Sequence, residues 1–104
     1  MAVTSGYLAK LRRAVRVGQV GQNEDIDAEL IDLIEECRHD LMELGVLSTK
    51  ANDETDSRIL GAVRGFVRWK FGLNNPDADR LHAEYDIMRD ELRRRGDYCT
   101  SPTE

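Results

Sequence analysis

Few residue types in this sequence could do chemistry. The chain has two histidines, His39 and His82, and two cysteines, Cys37 and Cys99. A helix presents two metal ligands on one face in patterns such as HxxxH and HExxH, and neither histidine belongs to either pattern. Cys37 and His39 are two residues apart and would lie on different sides of a helix. The sequence therefore predicts no metal site and two free thiols.

Signatures of enzyme active sites are also missing from the sequence. It contains no serine nucleophile elbow, no P-loop and no dinucleotide-binding fingerprint. Acidic pairs between residues 24 and 43 could act in general acid–base catalysis, but the sequence indicates no partner residue for them. We expect neither catalytic residues nor a cofactor, and we expect that the protein is not an enzyme.

The distribution of charge along the chain is more informative than its net charge of −5. Residues 24–43 hold nine acids and one arginine, a balance of −8, which leaves +3 for the rest of the chain. Acids in the first turn of a helix interact favourably with its dipole, but the acids that continue to Glu43 have no such explanation. We interpret the charge separation as an arrangement for contacts with other molecules.

Apolar residues recur with the helical period, and strand-like alternation is not seen. Gly45 is a natural helix stop, and Asn75-Pro76 combines a capping side chain with proline at a helix start. The sequence predicts an all-α fold, a small four-helix domain with a C-terminal α-hairpin, in which residues 1–104 form one domain. The predicted helices cover residues 5–16, 25–44, 56–71 and 76–95.

The hairpin should supply the stability core, because Phe66, Trp69, Phe71 and Tyr85 hold most of the aromatic area. Gly61 and Gly65 lie one turn apart in its first helix, and we expect them to allow close packing within the subunit. The polar loop 17–23 and the tail 97–104 should be flexible, because neither can bury enough apolar surface to offset its ordering entropy.

The sequence also bears on whether the protein contacts membranes or nucleic acids. No apolar run approaches the roughly 18–20 residues that cross a bilayer, so we expect a soluble intracellular protein without membrane contact. Arg64 and Arg68 could form a basic patch for DNA. The helix after Pro76, however, opens with Asp77 and Asp79, where phosphates would have to approach, which disfavours sequence-specific DNA reading.

Taken together, the order of these features resembles one protein family. The chain is similar to the small head-tail connector proteins of tailed phages, also described as phage DNA-packaging proteins, over residues 7–98. Gly61, Gly65 and the number of arginines depart from the family pattern. The residues that carry the resemblance are Asp27, Leu30, Ile31, Ile34, Leu41, Gly45 and Val46 in the second predicted helix, and Phe71-Gly72, Asn75-Pro76, Tyr85 and Gly96-Asp97-Tyr98 in and after the hairpin.

The resemblance implies a structural virion protein that forms a ring of about twelve or thirteen copies below the phage portal protein. Such a ring extends the DNA channel, joins capsid to tail, and contacts the next head-completion or tail protein. Packaged double-stranded DNA would pass through it without sequence-specific contact. The protein would be in the host cytoplasm during assembly and then at the capsid-tail junction of the virion. Two alternatives remain: a small helical DNA-binding regulator, and a cytosolic helical adaptor that binds a protein partner.

A ring requires that one surface of each subunit contacts a different surface of its neighbour, and oppositely charged surfaces meet this requirement. As an alternative, the acidic helix could line the channel, where its charge would keep passing DNA from sticking. We favour contact between subunits. The predicted subunit-interface residues are Asp32, Glu36 and Asp40 in the second helix and Arg64, Arg68, Arg89 and Arg93 in the hairpin.

Overall fold

A computed structural model describes residues 3–15, 24–71 and 76–99, and within these ranges the chain is helical with no strand. The all-α fold class is therefore confirmed. The predicted loop 17–23, the turn residues 72–75 and the end of the tail, 100–104, lie outside the described residues. The helices are α1 (Ser5–Ala14), α2 (Glu24–Leu44), α3 (Ser48–Ala51), α4 (Ser57–Lys70) and α5 (Ala78–Arg93).

The described part of the chain has one helix more than the sequence predicted. The short α3 lies between the second and third predicted helices. The sequence did not predict it, because a single helical turn is too short to show a period of 3.6 residues. The long helices begin and end within two residues of their predicted bounds. The largest difference at a helix start is at α5, which begins at Ala78 with Asp77 as its N-cap, rather than at Pro76.

Gly45 ends α2 in a Schellman motif, as its sequence position indicated. Its φ of 119° lies in the left-handed region, which glycine adopts without a steric penalty. The Gly45 N–H donates to the Met42 carbonyl, and the Val46 N–H donates to the Leu41 carbonyl, both at 3.0 Å. Leu41 and Val46 are both buried, which supplies the apolar contact that accompanies this motif.

Helices α4 and α5 pack against each other in antiparallel orientation. The Phe66 ring lies edge-on to Trp69 and to Tyr85, with centroid distances of 5.5 and 5.2 Å. A Cβ atom added to Gly65 would lie 2.6 Å from Met88 Cε, so the absence of a side chain at Gly65 allows Met88 to approach. Gly61 has no such neighbour, because a Cβ there would meet no atom within 4 Å.

The core extends across all five helices of the described residues rather than being confined to α4 and α5, with Ala51 as the contribution of α3. The buried residues of α2 are spaced by four, three and four, in agreement with the helical period of the apolar residues in the sequence. Trp69 and Phe71 are only partly buried at the edge of the core, whereas Phe66 and Tyr85 are buried. The fully buried core side chains of α2 are Leu30, Ile34, Cys37 and Leu41, and α1 adds Tyr7, Leu8 and Leu11.

Glu54, in the turn between α3 and α4, attaches the start of α1 to α2. Its carboxylate accepts hydrogen bonds from Thr4 N at 3.1 Å and Thr4 Oγ1 at 2.5 Å, and from Arg38 Nη2 at 3.3 Å. The Arg38 guanidinium lies over the Tyr7 ring, 5.5 Å from its centroid. Burial raises the pKa of Glu54, but the hydrogen bonds from Thr4 and Arg38 outweigh it, so the pKa lies below its usual value.

The segment after α5 is packed, which differs from the flexible tail predicted from residue 97. Tyr98 is buried, and its hydroxyl donates to Asp56 Oδ2 at 2.8 Å. The Leu47 N–H donates to the Tyr98 carbonyl at 2.8 Å. The prediction is contradicted at Tyr98, because it averaged a polar composition, whereas one aromatic ring with a paired hydroxyl is enough to anchor this residue.

The first testable prediction concerns the core. Phe66→Ala should lower the free energy of unfolding in a urea melt by about 3–5 kcal/mol, because the substitution leaves a cavity where a ring was buried. Ile87→Ala is the matched control, since Ile87 is 62% exposed on α5 and its truncation should change stability by less than about 0.5 kcal/mol. A loss below about 1 kcal/mol for Phe66→Ala would contradict this packing.

A second prediction concerns pH. The pKa of Glu54 in the folded protein lies below that of glutamate in an unfolded chain, which is about 4.3. The ionised carboxylate therefore stabilises the fold at pH values above about 4.3, and this stabilisation is lost as the pH falls through the folded-state pKa. Glu54→Gln should therefore be less stable than the wild type at pH 7, and the difference should shrink below about pH 4. Urea melts of both proteins between pH 3 and 8 measure this, and a difference that stays constant over the range would refute it.

Candidate functional site

An acidic cleft lies between α2 and the α4/α5 pair. Its volume is about 380 Å³, and each of the three helices contributes residues spaced by three or four, so that each presents one face to it. The lining residues are Glu36, His39, Asp40 and Glu43 from α2, Phe66, Trp69 and Lys70 from α4, and His82, Tyr85, Asp86 and Arg89 from α5.

Aromatic rings form one wall of the acidic cleft. The Trp69 ring stacks on the His82 ring with a centroid distance of 3.9 Å and an interplanar angle of 3°. The Lys70 ammonium group lies 5.0 Å from the ring centroids of both Phe66 and Trp69, and 2.7 Å from Glu36 Oε2. The cleft thus already holds one positive group between aromatic faces and a carboxylate.

Tyr85 anchors the inner side of the acidic cleft. Its hydroxyl donates to Asp40 Oδ2 at 2.7 Å, and Arg89 Nε donates to the same oxygen at 2.9 Å. Cys37 Sγ lies 3.7 Å from the Tyr85 hydroxyl. Burial, together with the neighbouring thiol and carboxylate, raises the pKa of Tyr85 far above its usual value. Tyr85 is therefore a neutral hydrogen-bond donor that holds Asp40 in place.

Two acids of the cleft remain without a fixed cation. Glu36 pairs with Lys70, and Asp40 pairs with Arg89, so these four charges cancel. Glu43 has no ion-pair partner among the described residues. Asp86 Oδ2 lies 3.4 Å from His82 Nε2, and this contact is an ion pair only when His82 is protonated. With neutral histidines, the cleft has an excess charge of −2.

A basic patch lies on the other side of α4. It surrounds a depression of about 420 Å³ lined by Lys10, Arg13 and Ala14 of α1 and by Leu60 and Arg64 of α4, with no acid among these residues. Arg68 follows Arg64 by one turn and extends the patch. At about 100° per residue, the α4 residues of the basic patch and those of the acidic cleft point to opposite sides of the helix.

Five of the seven predicted interface residues lie on these two surfaces, and two lie outside both. Glu36, Asp40 and Arg89 line the acidic cleft, and Arg64 and Arg68 belong to the basic patch. Asp32 is exposed on α2 outside both surfaces, and Arg93 pairs with Asp90 of its own helix at 2.6 Å.

The sequence interpretation missed several residues of both surfaces. The spacing of His82, Tyr85, Asp86 and Arg89 by three, one and three residues marks one face of α5. Recognising it as a cleft wall required knowing that this face lies against the acids of α2. Lys10 and Arg13 were likewise visible as basic residues, but only the packing of α1 against α4 brings them beside Arg64.

Other kinds of site are not found in the described part of the chain. No group of three or more histidine, cysteine or acidic side chains there could hold a metal ion. Among the same residues, no helix combines the length and the apolar character that spanning a membrane requires.

Comparison with known proteins identified no similar protein or family. No family model, curated protein or solved structure matches the chain. The resemblance to head-tail connectors remains a hypothesis that depends on the sequence features described above.

The thiol behind the cleft gives a third prediction. Burial raises the pKa of Cys37 to about 12, and its side chain is fully buried, so it should behave as an inert core residue rather than a nucleophile. In a Cys99→Ser variant at pH 8, a thiol reagent should label Cys37 at least about a hundredfold faster in concentrated urea than in buffer. Cys37→Ala, which retains the partly exposed Cys99, is the control. Rapid labelling of Cys37 in the native protein would contradict the burial.

Proposed function

We propose that this protein is a structural subunit of a tailed phage, a head-tail connector that forms a ring below the portal, extends the DNA channel and joins capsid to tail. The observation that carries the proposal is the placement of the acidic cleft and the basic patch on opposite sides of α4. In this proposal the subunit is built from four long helices, with α4 and α5 as its C-terminal α-hairpin.

Opposite charge on opposite sides suits a head-to-tail contact. In such an interface the cleft of one copy meets the patch of the next, whereas cleft-to-cleft and patch-to-patch pairings repel. A heterologous contact of this kind gives a ring when the rotation between neighbouring copies closes and an open helical filament when it does not.

Charge alone would not hold such a ring together. An exposed ion pair typically contributes less than about 1 kcal/mol, so the charges would set the partner and the register. Affinity would come from apolar area, and the cleft offers the partly buried Trp69 ring while the patch offers Leu60 and Ala14. This division of roles is typical of interfaces with a central apolar contact and a polar rim.

In the proposed ring, exposed acids of α2 outside the cleft could line the DNA channel. Asp32 is exposed and belongs to neither surface. In a ring, acids of this kind could face passing DNA and keep it from adhering, while the cleft acids contact the neighbouring subunit. The two interpretations of the acidic helix therefore concern different residues and do not compete.

The fourth prediction tests assembly. Analytical ultracentrifugation across protein concentration should show a large, defined oligomer, and raising the salt from about 50 mM to 500 mM should weaken it by screening. The oligomer should co-sediment with the portal protein encoded in the same genome. A protein that stays monomeric and is not captured by the portal would refute the connector proposal. A salt-sensitive gel shift with duplex DNA by the monomer would favour a DNA-binding regulator instead.

A further inference from the structure

We propose that the acidic cleft binds the basic patch of a second copy of this chain, with Arg13 and Arg64 of that copy opposite Glu43 and Asp86. This assignment rests on the proposed ring assembly and names the contact that would build it. The occupant is identified from the opposite charges of the two surfaces of this one chain.

The charges of the two surfaces match after the contacts within each subunit are taken into account. Lys70 and Arg89 neutralise Glu36 and Asp40, which leaves Glu43 and Asp86 as the acids available to a partner. In the basic patch, Arg13 and Arg64 are exposed, and no ion-pair partner for either is found among the described residues. Each surface therefore presents charge that is not used within its own subunit.

The walls of the cleft suit a cationic side chain. A guanidinium group is planar, stacks on aromatic faces and is more weakly hydrated than an ammonium group. The Lys70 ammonium group already lies near the Phe66 and Trp69 rings, so these walls accommodate a positive charge. The surplus charge of −2 disfavours phosphate groups, which makes a nucleic acid or an anionic lipid headgroup a poor occupant.

Both surfaces are accessible to a partner. Each is bordered by exposed side chains of the described residues. Because they lie on opposite sides of α4, a copy that offers its patch to one neighbour leaves its cleft open for another. Each subunit can therefore make both contacts at once, which a closed ring requires.

A charge-exchange experiment tests this contact. The cleft variant is Glu43→Lys/Asp86→Lys, the patch variant is Arg13→Glu/Arg64→Glu, and the third protein combines all four changes. Asp40 is left unchanged because its reversal would also break its bonds to Tyr85 and Arg89. The matched control is Asp32→Lys/Glu91→Lys, which reverses one exposed acid on α2 and one on α5 outside both surfaces.

Each pair of reversals should raise the protein concentration at half-assembly at least about tenfold, because it replaces attraction by repulsion. The combined variant should regain assembly, since its reversed cleft and reversed patch are complementary again, and the control should assemble like the wild type. Thermal melts of the monomers establish that each variant is folded. Trp69 is the only tryptophan and lines the cleft, so its fluorescence should change on assembly of the wild type, the combined variant and the control, and should stay unchanged in the two reversed variants.

The outcomes separate the contact from the proposed function. A wild-type protein that does not form oligomers refutes the ring itself. Wild-type rings that persist in both reversed variants, or a folded combined variant that stays monomeric, refute the cleft-to-patch contact and leave the ring intact. Capture of the portal by the cleft variant but not by the patch variant would assign the basic patch to the portal, and would also overturn the contact between copies.

Discussion

Tyr85 makes the interaction on which the arrangement of the three long helices depends. Its ring packs on Phe66 of α4, and its hydroxyl, kept neutral by burial, donates to Asp40 of α2. An unpaired hydroxyl in this position would carry a desolvation cost of about 1–3 kcal/mol, so the bond to Asp40 selects one position of α2 against α5. That position defines the acidic cleft. It also commits Asp40 and Arg89 to each other, although both looked available for a partner.

Neutralisation within the subunit decides which charges can act between molecules. The second helix looked uniformly acidic along the chain, but Asp27 binds Arg12 in a bidentate pair, with N to O distances of 2.7 and 2.8 Å, and Glu36 pairs with Lys70. Pairs of this kind are individually weak when exposed. Their larger effect here is to remove charge from the surface and leave localised excesses, negative in the cleft and positive beside α1.

The segment between α3 and α4 contacts both ends of the described chain. Its sequence is polar, yet Glu54 binds the N-cap residue of α1 and Asp56 binds the Tyr98 hydroxyl. Asp56 also caps α4 by accepting from the Arg58 and Ile59 N–H groups. Short polar side chains here replace the apolar packing that segments of a few residues cannot supply, because a small domain has little core to offer them.

The sequence by itself determined the helical class, the buried stripe of α2, the glycine stop at Gly45 and the division of charge between segments, because each depends on neighbours within about one or two turns. Only the tertiary structure decided the rest. It paired Asp40 with Arg89 across 49 residues, brought His82 onto Trp69, and buried Tyr98 in a segment of polar composition. These contacts depend on how helices pack, and packing is set by the combined fit of many side chains, which no local spacing encodes.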